Sequence, residues 1–450
     1  MEADILIKNI SRPENSPVFS GLYGPEGIEA ARERYIHLVE GLLKDSPGER
    51  DVRVFTAAGR TELGGNHTDH NRGKVLAASI QLDAAAAVSP RRDSRVFFRS
   101  TGFPDVEVDL ALPGGEGPAL EPRQNETGTT EALIRGVAAE FARRGVRIGG
   151  FTANADSTVL PGSGLSSSAA VEVLFGCIFN HLYGGGKFSP LELAMFGQRA
   201  ENNYFGKPSG LMDQAACASG GAIAIDFEDP QNPRVSPLAF DPAALGYSLC
   251  VVNTRGSHAD LTPDYAAIPR EMNAVARFFG KSVLREISPA DILARIPELR
   301  EAAGDRALLR ALHFFSENKR VDAMKAALEK MRAGNAAAFQ DYLQLVNESG
   351  DSSWELLQNV YSPKNPAAQG LSLALALSRD FFRSLAGREE QRPGACRVHG
   401  GGFAGTIQAY VLTAHLAAYR ERMENVFKGG AVTVLKIRPA GTAELYFPGA

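Results

Sequence analysis

Leu-Pro-Gly-Ser-Gly-Leu-Ser-Ser-Ser-Ala-Ala, residues 160–170, joins a strand-type run to a helix-type run. Its two glycines permit close backbone approach and unusual φ values. Its three consecutive serines bring hydroxyls to the start of a helix. A bend of this kind aims several backbone N–H groups at one point, at the positive end of a helix macrodipole. The guest that suits such a cradle is a phosphate. The plainer reading of the same residues is a serine-rich helix N-cap with no ligand. It is not a Walker loop, because no Gly-Lys-Ser/Thr follows.

Outward from this loop, residues 150–155 read as a strand leading into it. Residues 169–182 read as the helix leaving it, stopped by Gly184-Gly185-Gly186. A second helix follows at 190–203, with Pro at its start. Upstream, residues 1–46 mix turn signals with one amphipathic stretch at 27–43. Residues 51–57 read as a strand running into Gly59-Arg60-Thr61-Glu62-Leu63-Gly64-Gly65-Asn66-His67-Thr68-Asp69-His70, a segment too polar and glycine-rich to be expected in a core. Strands are expected at 80–88 and 94–99 and a helix at 129–144. Downstream, strands at 222–227 and 247–253 give way to helical patterns at 265–279, 308–332, 335–349, 370–385 and 412–426. Short strands return at 395–398, 406–411 and 433–437. Strands and helices mix without steady βαβ alternation, so the expected class is α+β and two-lobed, with an N-terminal domain at 1–205 and a C-terminal domain at 206–450.

Composition narrows the function. The 450 residues are 44% apolar, enough for large cores, with a formal net charge of −4. That balance excludes an electrostatic nucleic-acid binder. No apolar run reaches the length of a membrane span, and Met-Glu-Ala-Asp-Ile-Leu-Ile-Lys at the start lacks the order of a secretory signal. Cys177, Cys217, Cys250 and Cys396 are far apart in apolar contexts and read as reduced structural thiols. A cytoplasmic globular protein, without membrane or nucleic-acid partners, is expected.

Three further segments can carry chemistry. Glu201 precedes Gly206-Lys207-Pro208-Ser209-Gly210-Leu211-Met212-Asp213-Gln214. Two carboxylates near a phosphate loop suit one role at Mg²⁺ and one at the nucleophile; alone, they read as solvated acids on a surface turn. Arg60 with Asn66-His67-Thr68-Asp69-His70 supplies donors and acceptors fit for sugar hydroxyls. A metal reading of that His-x-Asp-His cluster finds no further His or Cys at ligand spacing. Finally, His399-Gly400-Gly401-Gly402-Phe403-Ala404-Gly405 puts four glycines around one aromatic, either a simple hairpin or a loop that lets a phosphate or another backbone come close.

In this order the segments resemble the GHMP family of small-molecule kinases, and within it the galactokinases. The matching stretches are 161–170, Gly59-Arg60 with His67-Thr68-Asp69, Gly210 to Gln214, Gly400 to Gly405, and Asn253, His258, Leu261, Asp264 and Tyr265. The resemblance implies a two-lobed GHMP-kinase-like fold with the active site between the lobes. It implies an ATP-dependent phosphotransferase with an alcohol acceptor, phosphorylating the anomeric hydroxyl of galactose or a galactose-like hexose. Asp213 is then the carboxylate that accepts, or electrostatically assists loss of, the hydroxyl proton, and Arg60 keeps it ionised. Ser168 and Glu201 are the implied Mg²⁺ ligands. Gly162, Ser163, Gly164, Leu165, Ser166, Ser167 and Ser168 cradle the ATP phosphates. Asn66, His67, Asp69 and Tyr265, with Asp213, line the sugar pocket.

The chain departs from the pattern in places. Asn66 stands where the family has a Glu that helps bind the sugar 6-hydroxyl. His70 replaces Tyr, Ala58 replaces Pro, Asn202 replaces His, and Thr130 stands at the family's adenine-site Trp; the single Trp354 lies elsewhere. Two other readings therefore stand beside galactose phosphorylation: a kinase for a galactose derivative altered at C2 or C6, and a catalytically silent sugar and nucleotide sensor on the same fold.

Overall fold

A computed structural model describes residues 1–45, 51–111, 120–159, 164–257, 261–387, 389 and 391–449. The expected α+β mixture is present, organised around two sheets. The larger, eight-stranded sheet contains β1 (Arg53–Gly64), β2 (Lys74–Pro90), β3 (Arg95–Ser100), β4 (Val106–Asp109), β5 (Phe151–Ser157), β6 (Ala222–Asp226), β7 (Arg234–Leu238) and a last strand near the C-terminus. The four-stranded sheet is built from β8 (Tyr247–Asn253), β9 (Gly394–Val398), β10 (Thr406–Leu412) and β11 (Val432–Leu435), in the order β11-β8-β10-β9. The last strand, β12 (Thr442–Leu445), pairs with β1. The large sheet runs β12-β1-β2-β5-β3-β4, with β6 on β2 and β7 on β6; β3 and β5 are parallel and the other pairs antiparallel. The expected cut at 205/206 is thus one of chain order: in space β6, β7 and β12 join the strands that precede it.

Strand β2 shows how sequence becomes layers. Its alternate residues face opposite ways, as the period of a strand requires. Ala84, Ala86 and Val88 face one core, with helices α4 (Thr130–Arg143), α5 (Ser167–Leu182), α6 (Pro190–Ala200) and α7 (Met212–Ser219) against it. Ala85 and Ala87 face the other, covered by α1 (Ala3–Ile10), α2 (Ser16–Tyr23) and α3 (Ile28–Asp45). Burial on both faces explains the unbroken apolar run, and alanines let helices approach both sides. The first half of β2, through Leu76, Ala78 and Ile80, instead meets a core shared with α11 (Asp305–Arg332), α12 (Ala338–Ser352) and the small sheet. Helices α8 (Thr262–Phe278), α9 (Pro289–Ala294) and α10 (Ile296–Ala303) pack with α11. Helices α13 (Gly370–Leu385) and α14 (Leu416–Phe427) cover the far face of the small sheet.

One expectation is overturned. The polar run after residue 58 is not a surface loop: β1 continues to Gly64, buried at every residue from Val54 on. The reason is that its polar side chains find partners inside. Thr61 meets His399 and Gln408, and Glu62 meets Arg397 and Asn66.

Candidate active site

The pairing of β1 with β2 breaks between Ala58 and Arg60 and again between Glu62 and Gly64. Such bulges bend a strand and re-aim its side chains. Arg60, 5% exposed, sits between the two. Its Nε and Nη2 donate to Asp213 Oδ1 and Oδ2 at 2.8 and 2.9 Å, a bidentate pair. Its third nitrogen, Nη1, donates to the Gly164 carbonyl, and its backbone N–H donates to the Leu165 carbonyl at 3.1 Å. One arginine therefore clamps the serine loop to α7.

Asp213 is the second residue of α7, where the helix dipole favours an acid. Its side chain is 35% exposed, so it opens to a space while remaining held. Burial alone would raise its pKa. The Arg60 charge, the hydrogen bonds from Arg60 and Ser166, and the nearby Lys207 charge outweigh that and hold it at about 2. Ser166, at φ +61, precedes α5 and donates its hydroxyl to Asp213. Gly164, at φ +73, passes so close to Thr406 Oγ1 that a Cβ would meet it at 2.6 Å. Ser167 and Ser168 open α5, Ser168 exposed, where the first N–H groups of a helix lack intrahelical partners. Gly162 and Ser163 lie outside the described residues, as do Leu160, Pro161 and His258.

Glu201 begins a single π-turn, Glu201–Phe205, that follows α6 and ends at Gly206, φ +84. Turns of this type recur at functional sites. The Glu201 carboxylate is buried, accepting from Lys207 Nζ at 2.6 Å and from Gln214 Nε2 at 2.9 Å. Gln214 also donates to Glu172 at 2.9 Å. Glu172 lies four residues after Ser168 on α5, so the two share a helix face. This chain ties Glu201 to the helix that carries Ser168. Glu172 is fully buried, and its Oε1 has no partner. Burial and the adjacent Glu201 carboxylate push its pKa well up. A buried surplus of acid, with an exposed hydroxyl beside it, is a donor set of hard oxygens and fits a small divalent cation completed by phosphate oxygens and water. No cluster of three or more His, Cys, Asp or Glu among the described residues could hold a metal by itself.

The sugar-signature residues converge on the loop between β9 and β10. His67, at φ +58, hydrogen-bonds through Nε2 to the Gly401 carbonyl at 2.9 Å. Burial lowers its pKa to about 4, against the raising effect of that bond. Tyr265 donates to the Gly402 carbonyl at 3.0 Å and packs edge-on to Phe403. Asp69 lies against Gly210, whose missing Cβ leaves room for it, so the segment before α7 touches the signature.

Asn66 is placed differently from its neighbours. It is 1% exposed, and both ends of its amide are taken by protein groups. Nδ2 donates to the Gly400 carbonyl at 2.7 Å and to both oxygens of Glu62 at 3.2 and 3.3 Å, while Oδ1 accepts from Asn359 at 2.8 Å. It lies beneath the glycine loop, tied to the fully buried Glu62–Arg397 ion pair.

Sequence reasoning gave no role to Glu62, Arg397, Glu172, Gln214 or Lys207. The Ser168–Glu172 spacing and the adjacency of Gln214 to Asp213 were available signals. Nothing local joins Glu62 to a residue 335 positions away.

The chain matches two family models: "GHMP kinases N terminal domain" over residues 132–221 and "Galactokinase galactose-binding signature" over residues 44–90. It is 30% identical over 395 residues to the galactokinase of Streptomyces coelicolor, covering 87% of this chain and 92% of that protein. It is 32% identical over 370 residues to a galactokinase of Actinobacillus pleuropneumoniae, covering 81% of this chain and 86% of that protein. Among solved structures, Lactococcus lactis galactokinase complexed with galactose shares the fold, with a TM-score of 0.74 at 24% identity over 92% of this chain and all of that one.

Proposed function

The chain belongs to the galactokinase family of the GHMP kinases, and from that premise we propose that it transfers the γ-phosphoryl group of ATP to the anomeric hydroxyl of D-galactose, giving α-D-galactose 1-phosphate and ADP. The observation that carries this reading is the Arg60–Asp213 pair, bidentate and tied to the serine loop at the head of α5. A silent sensor needs no such pair, and its intact geometry supports the enzyme.

Phosphoryl transfer depends mainly on position and charge. The loop from 162 to 168 and the first turn of α5 would hold the triphosphate, with Arg60 beside the transferring group. Asp213 would lie against the sugar's anomeric hydroxyl. A carboxylate with a pKa of about 2 is a weak base. It would orient the hydroxyl and accept its proton, or electrostatically assist that proton's loss, as the phosphoryl group transfers. Glu201 and Ser168 would hold Mg²⁺, which when bound supplies positive charge to the phosphate oxygens. His67, Asp69 and Tyr265 would meet the sugar hydroxyls, His67 as a neutral ring. Asn66 would act from below, fixing the Gly400 carbonyl and so the floor of the pocket. We place the protein in the cytoplasm; the four buried, unpaired cysteines support this, and no helix among the described residues is long and apolar enough to cross a membrane.

The test is Asp213→Ala. ADP release with galactose should fall about 10²-fold or more, measured well below the variant's unfolding midpoint, which should also fall because Arg60 loses its partner. Turnover near the wild-type rate would sink the assignment.

A further inference from the structure

Lys207 is a cation at this site for which the reading above has no task. It follows Gly206, two residues beyond the π-turn, and its backbone N–H returns to the Glu201 carbonyl at 3.1 Å. Its ammonium reaches the Glu201 carboxylate at 2.6 Å. The two ends differ in surroundings: the lysine side chain is 57% exposed and the glutamate 3%. The ammonium thus enters from the open side and caps a buried acid.

A buried carboxylate requires a counter-charge. Glu201 also shares Gln214 with a second buried acid, Glu172. Lysine is suited to a temporary post. Its charge is compact and strongly hydrated, on a flexible four-carbon stem, and it does not lock in place as a bidentate arginine does. When a divalent cation takes Glu201, the ammonium meets a like charge and must move. The head of α5 is joined to that patch through Ser166–Asp213 and through Glu172–Gln214–Glu201. The Lys207 charge already acts on Asp213, which Ser166 joins to the head of α5, so a triphosphate held there would bring surplus negative charge toward the ammonium.

We propose that Lys207 is an exchangeable counter-ion: it neutralises Glu201 in the free protein, gives way to Mg²⁺, and then pairs with phosphate oxygens of the nucleotide. The proposal rests on the Mg²⁺·ATP reading of the site. It predicts two opposite effects of removing one charge, which a purely structural ion pair would not produce.

The experiment measures binding of the imido analogue of ATP, without sugar, to wild type, Lys207→Met and Lys207→Arg, across a Mg²⁺ titration starting in EDTA. In Lys207→Met the affinity at saturating Mg²⁺ should fall about tenfold, because the phosphate oxygens lose the ammonium, and the Mg²⁺ concentration giving half of the metal effect should fall severalfold, because Glu201 no longer has to release a lysine. Lys207→Arg should keep most of the affinity at saturating Mg²⁺. A Met variant with wild-type affinity at saturating Mg²⁺, or with an unchanged Mg²⁺ midpoint, overturns the proposal. Failure of wild type to bind the analogue at any Mg²⁺ concentration would instead overturn the nucleotide reading itself. Lys207→Met leaves buried Glu201 without its counter-charge, so its unfolding midpoint in EDTA should fall; the titrations are run well below that midpoint, and if Lys207→Met does not fold, Lys207→Gln replaces it in the same titration.

Discussion

Asp213 and His67 are both driven away from their usual pKa values, and the consequences have definite signs. Asp213 falls from 3.8 to about 2. Its ion pair therefore stabilises fully above about pH 4 and is lost only as pH falls through 2. His67 falls from 6.5 to about 4, because burial disfavours its charged form. The unfolded chain takes up that proton first, so stability declines as pH falls from 6.5 and the loss is complete near 4. His313 and His399 are lowered by burial in the same sense. Unfolding free energy measured from pH 7 to 4.5 should thus drop less steeply for His67→Gln than for wild type. Equal slopes would show that the His67 ring is not held neutral. Asn66 gives a second residue-scale prediction. Asn66→Glu sets a new carboxylate against Glu62, whose only charged partner within hydrogen-bond reach among the described residues is Arg397. An uncompensated buried charge costs roughly 3–5 kcal/mol. A matching loss in denaturant-measured stability is expected, with most of it restored by adding Glu62→Gln. If Asn66→Glu alone is neutral, the amide is not committed as described.

At the scale of elements, the loop between β9 and β10 links sugar signature and small sheet. Its carbonyls at Gly400, Gly401 and Gly402 accept from Asn66, His67 and Tyr265. Gly402 makes this possible: its φ is +79, and a Cβ there would run into the Asn359 carbonyl. Gly402→Ala should cost about 2 kcal/mol or more and raise the KM for galactose more than the KM for ATP. Equal rises in both would mean the loop does not shape the sugar side selectively. Much of this scale was legible in sequence. The 370–385 pattern matches α13, and helices at 129–144, 169–182 and 190–203 match α4, α5 and α6 to within a few residues. Each has an amphipathic or apolar periodicity and a marked end. What was not legible needed distant partners. β1 reads as a loop past residue 58 because Arg60, Thr61 and Glu62 are polar, and their partners lie at 213, 399 and 397. Helices α1 and α2 have only eight residues each, too short to stand on local propensity.

At the scale of the molecule, those two short helices acquire a reason. Phe19 packs on Phe447, and Asn9 and Asn15 donate to the Phe447 and Pro448 carbonyls. Beneath them Tyr23, Arg34 and Arg438 converge on the fully buried Asp83 of β2. The two ends of the chain are thereby fastened to the sheet face opposite α5, leaving the serine loop, α7 and the glycine loop clear on the working side. The order of segments that pointed to a kinase in sequence is the order in which the fold brings them together: Arg60 clamps Gly164 to Asp213, and the 400–405 loop closes on His67. The sequence could not show that Asn66, its clearest departure from the family pattern, is spent on protein partners, since those partners lie at 62, 359 and 400. The central claim, that this arrangement phosphorylates galactose at its anomeric hydroxyl, is tested most directly by phosphorus and proton NMR of the purified protein with D-galactose and Mg²⁺·ATP. The account predicts α-D-galactose 1-phosphate, formed with one ADP per sugar. Galactose that binds but is recovered unphosphorylated, or a phosphate at any other hydroxyl, would contradict it.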